Sequence, residues 1–418
     1  MRAIFISVEG IPKPGDKVMV SPSLQGAFQA CGEDLRKEEA FLRYYIAREN
    51  GASLELSERM MMDRRNVHAL FAGQRGSGKT TELLRVVHDT RGTLLPLYTD
   101  LELSPERAAI PDILGALGAG MCRRLNEEKV QISEGTARSL SAWFKETLKV
   151  PVDEKTNITG LLELFNKLSE KLRRRDGRPE LASAVESRRE ELIQRFGAMA
   201  QDARARTGRE VLLIVDGLEK LPPAAAAQFL LESGMLELEF KCICTMPFPL
   251  LHSAEFRSLR QSFDMISLQP LSEVGQAALS LKSGGVLDLR DIVDRRIGRD
   301  LLDGAAQDLL LLNSGGNPGD LLRFAGNCCL RSSMKGKTRI DIGVVDGVLE
   351  DHRLEMKRFL TAEEWQKLGQ VFRERGLAPD ELLNSLLDSG AVLEYPGRRD
   401  MYMVHPALLP VLKERTVA

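Results

Sequence analysis

The most specific chemistry in the chain is carried by eight residues, Gly73-Gln74-Arg75-Gly76-Ser77-Gly78-Lys79-Thr80. They fit the phosphate-loop pattern G-x-x-x-x-G-K-[ST] at every fixed position. Glycines at these positions let backbone N–H groups turn inward around a phosphate, and a helix N-terminus adds partial positive charge. Lys79 has the reach for the β- and γ-phosphates of a nucleotide, and the Thr80 hydroxyl suits Mg2+. A chance glycine-rich turn is the bland alternative, and the flanking residues argue against it. Val67 to Ala72 read as a short buried strand, and Thr81 to Val87 have helical spacing.

A second constellation lies far downstream. Val211-Leu212-Leu213-Ile214-Val215 is a continuous apolar run ending in Asp216-Gly217. Buried parallel strands read this way, and in open α/β sheets their C-terminal ends face the ligand crevice. Asp216 therefore has the form of a Walker B acid, expected to hold Mg2+ together with Thr80. A strand ended by a turn-forming Asp-Gly is the plainer reading of the same residues. A further strand, Phe240 to Pro247, places Thr245 near its end, as a γ-phosphate sensor or as an ordinary strand-end threonine.

These residues need a scaffold. At 418 residues the chain is long enough for two or three domains. Its 43% hydrophobic and 28% charged residues are ordinary for a globular protein, and a net charge of −2 advertises no global attraction to nucleic acid. The six cysteines form no C-x-x-C pair and no zinc spacing, which predicts free thiols and a cytoplasmic setting. Cys242 and Cys244 are expected on one face of a strand. The apolar stretch Met1 to Val8 is too short for a signal peptide, and no run is long enough to span a membrane.

Strands at 67–72, 93–101, 210–216, 240–247 and 264–268, separated by helical patterns, predict a five-stranded parallel sheet with helices on both faces. Pro96 argues for an edge position or a bulge in the second strand. Residues 1–35 have no assignable role. Helices are expected over 34–50 and 54–65. The sheet belongs to a core over 36–270, with a helical insertion over about 104–208. The basic run Lys171 to Arg175 reads as a solvated helix end, with a nucleic-acid contact as the alternative. Residues 271–337 read as a helical lid, in which Asp320 is expected to cap a helix carrying Arg323 in its first turn. Residues 338–418 read as helices at about 341–358, 361–374 and 378–389 and then a hairpin, the order of a winged helix.

With these residues in place, the chain resembles bacterial P-loop ATPases of the AAA+/STAND assemblage, close to the archaeal origin-recognition initiator branch. The resemblance rests on residues 73–84, 214–221, 244–247 and 315–323 and on the C-terminal tail. It implies ATP and Mg2+ as cofactors, with Gly73 to Thr81 binding the triphosphate. It implies sensor roles for Thr245 and Arg323, an adenine-side turn at Pro318, and a trans-acting arginine, for which Arg257 and Arg260 stand in the family's place. One departure stands out: the family usually has a catalytic glutamate directly after the Walker B aspartate, where this chain has Gly217. Glu219 is the nearest acid and the expected catalytic base; a surface acid, with slow hydrolysis that suits a switch holding its nucleotide, is the alternative.

Two functional classes follow. The first is an ATP-hydrolysing switch that couples nucleotide state to the lid and winged helix, acting through a protein effector or self-assembly in signalling or phage defence. The second is a DNA-binding ATPase. The expected recognition helix, Pro379 to Asp388, has three acids and no base, which weighs against the second.

Overall fold

A computed structural model describes residues 23–48, 51–103, 105–149, 156–174, 176–272, 284–374, 377–395 and 402–417. The apolar stretch Met1 to Val8 and the turn between the two strands of the C-terminal hairpin, with Arg398 and Arg399, lie outside the described residues.

In chain order, helices α1 (Leu24–Cys31), α2 (Glu38–Tyr44) and α3 (Ser53–Met62) precede strand β1 (His68–Gly73) and helix α4 (Lys79–Thr90). Strand β2 (Leu94–Asp100) leads to five helices, α5 (Ile110–Glu127), α6 (Glu134–Leu148), α7 (Ile158–Arg173), α8 (Arg178–Glu186) and α9 (Arg189–Thr207). Then come β3 (Glu210–Asp216), α10 (Pro223–Glu232), β4 (Lys241–Thr245), α11 (Phe256–Ser262) and β5 (Met265–Gln269). The C-terminal part comprises α12 (Gly284–Asp294), α13 (Gly304–Asn313), α14 (Pro318–Met334), α15 (Ile342–Phe359), α16 (Ala362–Arg373), α17 (Glu381–Asp388), the hairpin β6 (Val392–Glu394) and β7 (Tyr402–Val404), and α18 (Leu409–Val417).

The chain divides into two compact units. One comprises residues 53–72 and 85–268 and holds the sheet, ordered β2-β3-β4-β1-β5. The ladders β1–β4, β2–β3 and β3–β4 are parallel. Strand β2 lies at the edge, where Pro96 costs least because one side of the strand needs no ladder partner. Strands β1 and β4 are buried along their whole length, which is why their sequences read as apolar runs rather than alternating ones. Helix α7 buries Leu161, Leu164, Phe165, Leu168 and Leu172 at helical spacing, each worth about 1.5–3 kcal/mol. Lys171 and Arg173 occupy its last turn, where the helix dipole favours cations, as expected for a helix end. The Cys242 and Cys244 sulfurs lie 3.5 Å apart and buried, on one face of β4.

The other unit comprises residues 1–52, 73–84 and 269–418, so the phosphate loop belongs with the C-terminal helices. Its core gathers Leu289, Val293, Leu310, Leu321, Phe324, Cys328, Val345 and Leu349 from α12 to α15, with Ala27 from α1. Two local expectations are corrected here. The helix expected over 34–50 is short and ends at Tyr44, because Tyr45 turns to extended backbone. The cap of α14 is Asn317, not Asp320: its Oδ1 accepts from the N–H groups of Gly319 (2.9 Å) and Asp320 (3.2 Å), with Pro318 at the first helical position. Helix α1 and the terminal α18 carried no sequence signal strong enough to anticipate.

Candidate functional site

Two groups of side chains carry the candidate chemistry, one in each unit. The first is the phosphate loop. Strand β1 ends at Gly73, the loop runs to Gly78, and α4 begins at Lys79, so Lys79 and Thr80 are the first two residues of a helix. Gly76 (φ +80°) and Gly78 (φ +94°) occupy left-handed backbone that side chains rarely adopt. Such backbone turns consecutive N–H groups to one side, which makes a concave anion site. Lys79 is buried, and its Nζ donates to the carbonyls of Gly73 (2.7 Å) and Gln74 (3.2 Å). The Ser77 Oγ is buried without a hydrogen-bond partner among the described atoms, a polar group of the loop left to be satisfied.

The loop's outward carbonyls are taken by neighbours in the same unit. Asn317 Nδ2 donates to Arg75 O (2.8 Å), and the Gly319 N–H donates to Gly76 O (3.0 Å). Gly319 approaches so closely that a Cβ there would lie 2.7 Å from Gly76 Cα. The Pro318 turn is therefore brought onto the loop. Arg48 Nη1 donates to Ser77 O (2.7 Å) and Nη2 to Pro270 O (2.9 Å). Burial lowers the Arg48 pKa from its ordinary value, against the raising effect of Glu82 and Asp288. Sequence reasoning missed Arg48 because nothing in a residue 25 positions before Gly73 marks it for the loop. Arg323 is drawn the other way: Nη2 pairs with Asp320 at 2.8 Å and the guanidinium lies 4.6 Å from the Phe324 ring centre.

The second group stands at the C-terminal ends of β3 and β4. Asp216 is 2% exposed. Its Oδ1 accepts from the Gly217 N–H (3.0 Å) and its Oδ2 from the Tyr98 hydroxyl (2.8 Å), so fixed donors hold both oxygens. Tyr98 was not anticipated. Its signal lay in the β2–β3 register, which pairs Tyr98 with Ile214 and Asp100 with Asp216.

Gly217 has φ +102°, and a Cβ there would lie 2.6 Å from Leu101 O. No side chain fits, which is the physical reason that no glutamate directly follows Asp216. The chain instead makes a tight turn over Leu218–Lys220 that folds Glu219 back. Glu219 Oε2 accepts from the Thr245 hydroxyl (2.7 Å) and from the Gly217 N–H (3.0 Å). Thr245, fully buried, accepts in turn from the Leu218 N–H (3.1 Å). Asp216, Glu219 and Thr245 thus form one hydrogen-bonded cluster with Tyr98. Arg257 and Arg260 are exposed on α11.

Among the described residues no group of three or more His, Cys, Asp or Glu side chains is placed to hold a metal. Taken unit by unit, the residues offer a hydroxyl at Thr80, a buried ammonium at Lys79 and left-handed glycines in one, and a carboxylate at Asp216 in the other.

No family model matches the chain, and no curated protein matches it. Among solved structures, it is similar to the Thermotoga maritima RuvB Holliday junction branch migration motor, with 15% identity over 87% of this chain and 92% of that one, at a TM-score of 0.38. It is also similar to the Aeropyrum pernix ORC2 protein. The complexes with ADPNP and ADP match at 10% identity over 88% and 93% of the two chains with a TM-score of 0.43, and the ADP form at 11% identity over 96% of each with 0.42. Among the described residues no helix is long and apolar enough to cross a membrane. The functional reading rests on the chain's own residues.

Proposed function

We propose that this chain is an ATP-binding and ATP-hydrolysing switch of the AAA+/STAND type. The observation that carries the reading is the phosphate loop: left-handed glycines at 76 and 78 on a strand-to-helix turn, with Lys79 and Thr80 opening the helix. Residues 73–81 bind the triphosphate through backbone N–H groups and the Lys79 ammonium. Thr80 and Asp216 would hold Mg2+, which supplies charge neutralisation to the phosphates. Glu219 orients the attacking water and takes its proton. The two donors on Oε2 fix the plane of its carboxylate, leaving Oε1 for the water. Thr245, tied to that carboxylate, reports on the γ-phosphate side. Pro318 contributes the adenine-side turn, and Arg323 the lid arginine.

The helices from 271 to 337 act as a lid and residues 338–418 as a winged-helix-like module that passes nucleotide state to a protein effector or to a second copy. The order of three helices, a hairpin and a closing helix supports that reading. DNA comes second, because α17 offers no Lys or Arg to a groove. Nucleotide binding by the Lys79→Ala variant tests the proposal. Affinity for ATP should fall by about one to two orders of magnitude, since a charge-assisted contact to phosphate is worth about 1.5–3 kcal/mol. Unchanged affinity would refute the assignment of the loop.

A further inference from the structure

The second residue of the phosphate loop does something that the loop's chemistry does not require. The Gln74 side chain is 4% exposed, and it meets the backbone of Glu394, 320 positions later, through two hydrogen bonds. Gln74 Nε2 donates to Glu394 O at 2.7 Å, and the Glu394 N–H donates to Gln74 Oε1 at 3.2 Å. Glu394 closes β6, where it stands opposite Tyr402 of β7. In an antiparallel pair, alternate residues turn both backbone groups to the outer edge. The Gln74 carboxamide satisfies that edge as a neighbouring peptide would, so one side chain of the loop serves as an extra rung of the hairpin.

Two further links close a circuit. The Tyr395 hydroxyl donates to Gly315 O at 2.6 Å, and the Gly315 backbone lies so close to the hairpin that a Cβ would meet Leu393 Cδ1 at 2.2 Å. Two and four residues on, Asn317 and Gly319 bind the carbonyls of Arg75 and Gly76. Loop residues 74–76, the hairpin and the 315–319 turn therefore hold one another in a triangle, all within one compact unit.

We propose that Gln74 is a positioning residue that links nucleotide occupancy of the loop to docking of the C-terminal hairpin. The proposal rests on the nucleotide reading of the loop and names the regulation of that site. Lys79 Nζ bonds the carbonyls of Gly73 and Gln74, the peptides that set the Gln74 side chain against Glu394. Phosphate competes for the same ammonium. Nucleotide binding loosens these carbonyls and with them the hairpin, and by reciprocity the docked hairpin lowers nucleotide affinity. An amide side chain carries its donor and its acceptor on two atoms of one planar group, as a peptide edge requires.

Hydrogen exchange of the full chain, with and without saturating Mg2+-ATP, tests this. In the wild type, ATP should speed exchange of the amides at 392–395 by about 5- to 150-fold, the usual range of a coupling between sites. In the near-isosteric Gln74→Met variant, exchange there should be fast in both conditions and ATP affinity should rise. Gln74→Glu keeps the acceptor and loses the donor, so it should be intermediate, and it serves where Gln74→Met does not fold. Wild-type protection at 392–395 in nucleotide-free Gln74→Met or Gln74→Glu would overturn the proposal. So would an exchange pattern in the wild type that ATP does not move although calorimetry detects ATP binding. If ATP does not bind at all, the nucleotide reading falls and the proposed linkage with it. The nucleotide-free variants then decide separately whether Gln74 holds the hairpin.

Discussion

Replacing Gly217 by alanine is the sharpest test of how the Asp216–Glu219 turn is built. Two costs combine. At φ +102° an L-residue is strained, at about 1–3 kcal/mol. In addition, the new Cβ would sit 2.6 Å from Leu101 O and 3.2 Å from Leu101 N. The Leu101 peptide has little room to yield, because its N–H donates to Asp216 O at 2.8 Å and continues the β2–β3 ladder. Overpacking of this kind costs about 1–3 kcal/mol more. Gly208 is an internal control in the same unit: its φ is +70°, but a Cβ there has nothing within 4 Å. Gly208→Ala should therefore show the strain alone, and Gly217→Ala the strain plus the clash, for a total of about 2–6 kcal/mol. Urea unfolding of the two variants and the wild type measures both. A Gly217→Ala variant no less stable than Gly208→Ala would refute the steric account of why glycine, and no larger residue, follows Asp216.

Glu219→Gln keeps a side chain that accepts from Thr245 and Gly217 but loses the charge. Steady-state turnover should fall by about two to four orders of magnitude with ATP affinity little changed. Unaltered turnover would move the base elsewhere. Acid should destabilise the C-terminal unit through His352, which packs between Phe324 and His405. Burial, then the charges of Arg323 and His405, push its pKa down to about 4, against a partial counter-pull from Asp320. The unfolded imidazole titrates near 6.5, so between about pH 6.5 and 4 the unfolded chain binds the extra proton and stability falls as pH falls. The full effect is about 3 kcal/mol, roughly halved for the solvent-facing part of the site. Unfolding free energies measured from pH 7 to 4 should fall less steeply in His352→Gln. Equal slopes would dismiss the residue's role.

The parts of the chain legible in sequence are those whose determinants are local. The phosphate loop declares itself because left-handed glycines, a lysine and a hydroxyl must stand at fixed spacing on one turn. The five strands declare themselves because a strand buried on both faces must be apolar throughout. Pro96 marked the edge strand by the donor it lacks. Gly217 signalled a departure from the family resemblance.

Tertiary structure alone decided the partners. Arg48, Gln74, Tyr98 and Asn317 reach their contacts across long stretches of chain. Each is an ordinary residue in its own neighbourhood, so no spacing rule marks it. The structure also supplied the reason for Gly217, a carbonyl from Leu101 that the sequence leaves more than a hundred positions away. Local backbone preference and hydrophobic period are written in neighbouring residues. The hydrogen bonds that hold Glu219 to Thr245, and Gln74 to Glu394, exist only once folding has brought distant segments within about 3 Å of each other.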